Sequence, residues 1–138
     1  MCKGLKLSFQ KWGYNLEYVN VDLQTEEMCK LEVQDFGYNL EHVREDLQTK
    51  EMCKLAVQQY GNALKYVRED LQTEEICKLA VKKNGLTLQF VREDFKTEEI
   101  CKIAVQDNEY ALQYVKDRFY NMLNKYVNKK GFIYGRNL

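Results

Sequence analysis

Proline is absent from all 138 residues, and histidine and tryptophan occur once each, as His42 and Trp12. Without proline there is no rigid Pro-rich linker, which fits helices joined by tight turns. One histidine and no C-x-x-C pair leave no ligand set for tetrahedral zinc. No Ser or Cys nucleophile has an obvious base, and neither a Gly-rich phosphate loop nor a carboxylate dyad stands apart from the general pattern. The expectation is a protein that is not an enzyme and holds no cofactor and no metal. No apolar run is long enough to span a membrane, so no membrane partner is expected. Free thiols suit a reducing compartment, and a cytoplasmic location is expected. Net charge is also absent, but only in sum: residues 1–12 carry +3, residues 13–115 carry −8 and residues 116–138 carry +5.

What the chain does have is a repeat. A unit of 24 residues recurs four times from Gly13 to Asn108, and an altered fifth copy starts at Glu109. The segments QTEEMCKLEVQ, QTKEMCKLAVQ, QTEEICKLAVK and KTEEICKIAVQ fix its register. A fixed period of this length is the mark of stacked supersecondary units. In the first half of each unit Leu16, Val19 and Leu23 return as Leu40, Val43, Leu47 and as Leu64, Val67, Leu71, a spacing that predicts a short helix. In the second half Met28, Cys29, Leu31 and Val33 return as Met52, Cys53, Leu55 and Val57, a broader apolar arc. Thr25, Thr49, Thr73 and Thr97 stand as N-caps before acidic first turns. Glu26–Lys30, Glu74–Lys78 and Glu98–Lys102 have the spacing of i, i+4 ion pairs, which Lys50–Lys54 breaks. Gly37, Gly61 and Gly85 occupy the place of a left-handed helix C-cap.

A single long helix is excluded. At about 100° per residue, 24 residues leave equivalent columns rotated by roughly 240°, so they share no seam. The prediction is an all-α protein: an α-solenoid of stacked two-helix repeats, with 24 residues per repeat and the two helices antiparallel. Residues 1–12 read as an N-terminal half-repeat, 13–108 as four tandem repeats, 109–127 as a C-terminal capping repeat and 128–138 as a basic tail.

Cys29, Cys53, Cys77 and Cys101 form one column, one thiol per repeat. Stacked helices lie about 8–10 Å apart, too far for a disulfide, so these read as small buried hydrophobes. His42 falls in a column otherwise filled by Tyr18, Tyr66, Phe90 and Tyr114, and reads as a substitute for a half-buried aromatic. Two surface ladders remain. Arg44, Arg68 and Arg92, continued by Lys116, run beside Glu45, Glu69 and Glu93, each followed by an aspartate. Cross-pairing between adjacent repeats explains them structurally, and a ridge for a protein partner explains them functionally. Leu5, Phe9 and Trp12, at the start of the array, are candidates for self-association as a two-fold homodimer. Lys125, Lys129, Lys130 and Arg136 are candidates for nucleic-acid binding.

The string QTEEICKLAVKKNG followed by LTLQFV, with its copies, resembles the short tandem repeats of mimivirus-like giant DNA viruses. Related repeats occur in some intracellular bacterial pathogens. The likeness spans about residues 5–119 through the Thr-Glu-Glu, Cys, Ala-Val, Gly and Leu-x-x-Val elements in order. It implies helical repeats and a life inside an infected cell, with no established activity and no catalytic residues. The function expected is a non-enzymatic protein–protein interaction scaffold. The alternatives are nucleic-acid binding through the basic tail and a structural component of a virion or self-assembly.

Overall fold

The computed structural model describes residues 16–129. Five α-helices carry the second half of each unit: α1 (Glu26–Asp35), α2 (Lys50–Gln59), α3 (Glu74–Lys83), α4 (Glu98–Asp107) and α5 (Asp117–Lys129). The first four begin at the predicted threonines. Thr25, Thr49, Thr73 and Thr97 accept hydrogen bonds from the amides of Met28, Met52, Ile76 and Ile100 at 3.2–3.3 Å. Each cap answers one of the amides that a helix start leaves open.

The first half of each unit is helical, in keeping with the two-helix repeat, but it winds as 3-10 rather than α-helix. Gly37–His42, Gly61–Tyr66, Gly85–Phe90 and Glu109–Tyr114 are 3-10 helices. After a break, Glu45–Leu47, Glu69–Leu71 and Glu93–Phe95 form a further 3-10 turn. In the third unit Ala63 N bonds Tyr60 O at 2.9 Å, Val67 N bonds Leu64 O at 3.1 Å and Leu71 N bonds Arg68 O at 2.9 Å, all three residues back. Gly61, Leu64 and Val67 are buried at that same interval. Three residues per turn stacks them on one edge. An i, i+3 pair suits either helix type, and only the next buried position tells them apart.

Successive α-helices pack on one another, successive six-residue 3-10 helices do likewise, and each of Gly37–His42, Gly61–Tyr66 and Gly85–Phe90 lies against the α-helix before it and the one after it. The result is a solenoid with a single continuous core. Its rungs are Leu40, Leu64, Leu88 and Leu112, the four cysteines, and Val33, Val57, Val81 and Val105. Helices of 10 residues are marginal alone, so stacking holds them.

The glycines do not act as left-handed caps. None of Gly37, Gly61 and Gly85 has a positive φ, and the helices leave through extended residues such as Phe36 and Tyr60, both at φ −140°. What demands glycine is the α-helix that follows in its own unit. A Cβ on Gly37 would sit 2.6 Å from the carbonyl oxygen of Ala56, and one on Gly61 2.8 Å from that of Ala80. Glu109 occupies the same place in the fifth unit, and there the pattern ends. α5 starts at Asp117, absorbs the second 3-10 turn, and turns Tyr120, Leu123 and Val127 inward.

The expected i, i+4 ion pairs are replaced by bridges between repeats. Lys30 meets Glu51 at 3.6 Å, Lys54 meets Glu75 at 2.6 Å and Lys78 meets Glu99. Lys54 thus has a partner despite the broken local pattern.

Candidate interaction groove

The residues that assemble the solenoid's surface begin with a glutamine. Gln24, Gln48 and Gln72 are buried at 5–7% exposure just before the capping threonines. Each amide bridges to the following unit. Gln48 Nε2 donates to the Tyr66 carbonyl at 2.9 Å, and Gln48 Oε1 accepts from the Arg68 amide at 3.0 Å. Gln24 does the same with His42 and Arg44, and Gln72 with Phe90 and Arg92. These peptide groups flank Val43, Val67 and Val91, extended residues where one 3-10 helix stops before the next starts. A side-chain amide supplies the donor and acceptor that the interrupted helix leaves open. The recurrent Gln-Thr dipeptide was the available signal for this staple, but only the fold shows what the amide reaches. Lys96 takes the glutamine's place in the fourth repeat, where its Nζ donates to Glu93 Oε1 at 2.5 Å.

Held by this staple, the arginine ladder lies along one edge of the solenoid. Arg68 donates through Nε and Nη2 to both oxygens of Asp70, and through Nη1 to the carbonyl of Glu45 in the preceding repeat at 2.9 Å. Arg44 and Arg92 repeat the arrangement with Asp46 and Val21, and with Asp94 and Glu69. The ion pair is therefore within a repeat, and the link between repeats runs to a backbone oxygen. The Arg44 and Arg68 hydrogen bonds hold the Asp46 and Asp70 carboxyls below their ordinary range.

With the aspartates engaged by arginine, the glutamates differ. Glu93 takes the Lys96 ammonium. The Glu45 and Glu69 carboxylates are exposed and have neither an ion pair nor a hydrogen bond among the described residues. Both line a groove of about 730 Å3 that crosses three successive repeats, from Leu40 through Val67 to Arg92. Arg68 and Arg92 form part of its wall, with Glu41, Lys65 and Tyr66. Lys65 Nζ rests 4.6 Å from the Tyr66 ring centre, and Glu41 lies 3.3 Å from His42 Nε2. The structure thus brings Glu45, Glu69, Arg68 and Arg92 to one groove; Arg44 and Glu93 stand in the same ladders but do not line it. Glu41 and Lys65 were not legible as site residues, since their shared column varies from repeat to repeat, and Tyr66 read only as one of a half-buried aromatic column.

The cysteines sit behind this surface, fully buried. Each of Cys29, Cys53 and Cys77 donates its thiol to the stapling glutamine of its own repeat at 3.5–3.7 Å. Burial pushes Cys29 and Cys53 up to about 11 and Cys77 to about 12, so all three stay protonated at neutral pH. Among the described residues no three His, Cys, Asp or Glu side chains group as a metal site, and no helix is long and apolar enough to cross a membrane. Lys125 is exposed on α5. Lys129 ends that helix, while Lys130, Arg136, Leu5, Phe9 and Trp12 lie outside the described residues.

A family model described as "Domain of unknown function" (DUF4116) matches residues 25–72 and 73–120. Each match covers two 24-residue units and opens on a capping threonine, Thr25 or Thr73. No curated protein and no solved structure matches the chain.

Proposed function

Since the chain belongs to the family of the domain of unknown function DUF4116, which brings no activity with it, we propose from its surface that it is a non-enzymatic scaffold for a protein partner. The observation that carries this is the groove across three repeats, which holds two exposed carboxylates that no contact ion pair or hydrogen bond engages among the described residues. A solenoid offers such positions once per repeat along an extended surface, the geometry suited to a chain rather than a small molecule. The arginines serve the fold, tied to aspartates and carbonyl oxygens. They position the glutamates, which remain for recognition. The Glu45 and Glu69 carboxylates in the groove also disfavour nucleic acid as the partner on this edge, because phosphates would meet like charge. The infected-cell setting is proposed on the resemblance of the repeat alone.

Affinity capture with the full chain and with Glu45→Lys/Glu69→Lys tests the reading. Proteins retained by the first and lost by the second are expected. A set of partners that ignores the double reversal would place recognition elsewhere, and the absence of any specific partner would remove the scaffold proposal.

A further inference from the structure

Resting on that reading, the geometry points to one partner chemistry: an extended basic segment, in polyproline-II conformation, with lysine or arginine at every third residue. Charge decides the sign. Inside the groove Arg68 is neutralised by Asp70, and Arg92 by Asp94 just beyond it. Lys65 leans over Tyr66, and its charge is offset by the nearby Glu41 carboxylate. Glu45 and Glu69 face solvent, and among the described residues no contact ion pair or hydrogen bond engages their carboxylates, although the Arg68 charge, already held by Asp70, lies within reach of Glu45. The complement is a pair of cations. A metal ion is a poor one, because the two carboxylates stand in successive repeats, whose stacked helices lie on the order of 8–10 Å apart.

Spacing decides the register. Glu45 and Glu69 are equivalent positions one repeat apart, and neighbouring stacked helices lie about 8–10 Å from one another. A polyproline-II segment advances about 3.1 Å per residue with three residues per turn. Every third side chain therefore leaves the same edge at intervals of about 9 Å. A β-strand would put residues three apart on opposite faces and offer only one of them to the ridge. The Tyr66 ring and the aliphatic stem of Lys65 give the intervening residues an apolar wall.

The test is fluorescence anisotropy of the full chain with a capped peptide that repeats Lys-Pro-Ser, against an isomer with the same composition and its lysines contiguous, at about 150 mM salt. The spaced peptide is expected to bind roughly tenfold more tightly than its isomer. Glu45→Gln/Glu69→Gln should abolish that difference, whereas Glu74→Gln, an exposed acid outside the groove, should leave it within about twofold. Equal binding of the two isomers would mean diffuse attraction and would overturn the register. Binding that emerges only after residues 130–138 are removed would assign the groove to the chain's own basic tail and overturn the external partner. If neither peptide binds under any of these conditions, the basic-segment inference fails, while the scaffold proposal stands or falls on the capture experiment.

Discussion

A primary amide carries a donor and an acceptor side by side, and Gln24, Gln48 and Gln72 spend both ends on the two peptide groups around an extended valine. Replacing Gln72 by methionine keeps the volume but strands the Phe90 carbonyl and the Arg92 amide. A loss of about 2–4 kcal/mol is expected in urea unfolding, and a loss below about 0.5 kcal/mol would mean that water replaces the amide freely. The converse change is available at Lys96, which can donate but cannot accept from the Lys116 amide; that amide turns to the Cys101 sulfur. Lys96→Gln should therefore stabilise by about 1 kcal/mol. The buried thiols add a pH signature. Their pKa is raised by burial from 9.0 to about 11 for Cys29 and Cys53. A raised folded pKa contributes stability that is complete below the unfolded value and lost as pH climbs through the folded one. Stability should thus decline between about pH 9 and 11, and Cys53→Ala should flatten that decline. At the acid end the sign reverses. Asp46 and Asp70 are held down by arginine, so their small contribution is present above the ordinary carboxylate value and is lost as pH falls below it through the depressed folded value.

Within each element, the local rules hold at helix starts and fail at helix ends. A threonine cap acts on its own helix, so sequence suffices to see it. The glycine that follows each of the first three helices answers to the next α-helix along the chain, Gly37 and Gly61 through the Ala56 and Ala80 carbonyls. The two explanations of Gly61 separate in one experiment. Asparagine tolerates a left-handed cap, yet it carries the Cβ that the close approach forbids. Gly61→Asn is expected to destabilise at least as much as Gly61→Ala, by about 1–3 kcal/mol in denaturant unfolding. Near-neutral Gly61→Asn beside damaging Gly61→Ala would restore the capping role.

Across the whole molecule, stability is a sum of stacked interfaces, and the interfaces are unequal. The first three junctions share the glutamine staple, and two of the lysine–glutamate bridges, at Glu75 and Glu99, lie between inner helices. The last junction has Lys96 for glutamine, Glu109 for glycine and a helix of 13 residues in altered register. Native-state hydrogen exchange should accordingly find the amides of α2 and α3 slowest and those of α5 much faster. Uniform protection along the array would show instead that the chain opens as one unit.

The sequence by itself determined the 24-residue period, the helical character, the threonine caps and the buried leucine, valine and cysteine columns. Each of these is a property of one unit, stated again in every copy. Only the tertiary structure decided that the first half of a unit winds as 3-10 helix, because Leu64 and Val67 share an edge in either helix type and the packing between two α-helices selects the tighter one. It also decided why glycine is needed, where Lys54 finds its acid, and what Arg68 and Gln48 hold. Part of the candidate groove was therefore legible, in the Arg68, Arg92, Glu45 and Glu69 ladders. Which of those charges remain free was not, since a side chain in one repeat is satisfied by the backbone of another, and that pairing exists only once the units are stacked.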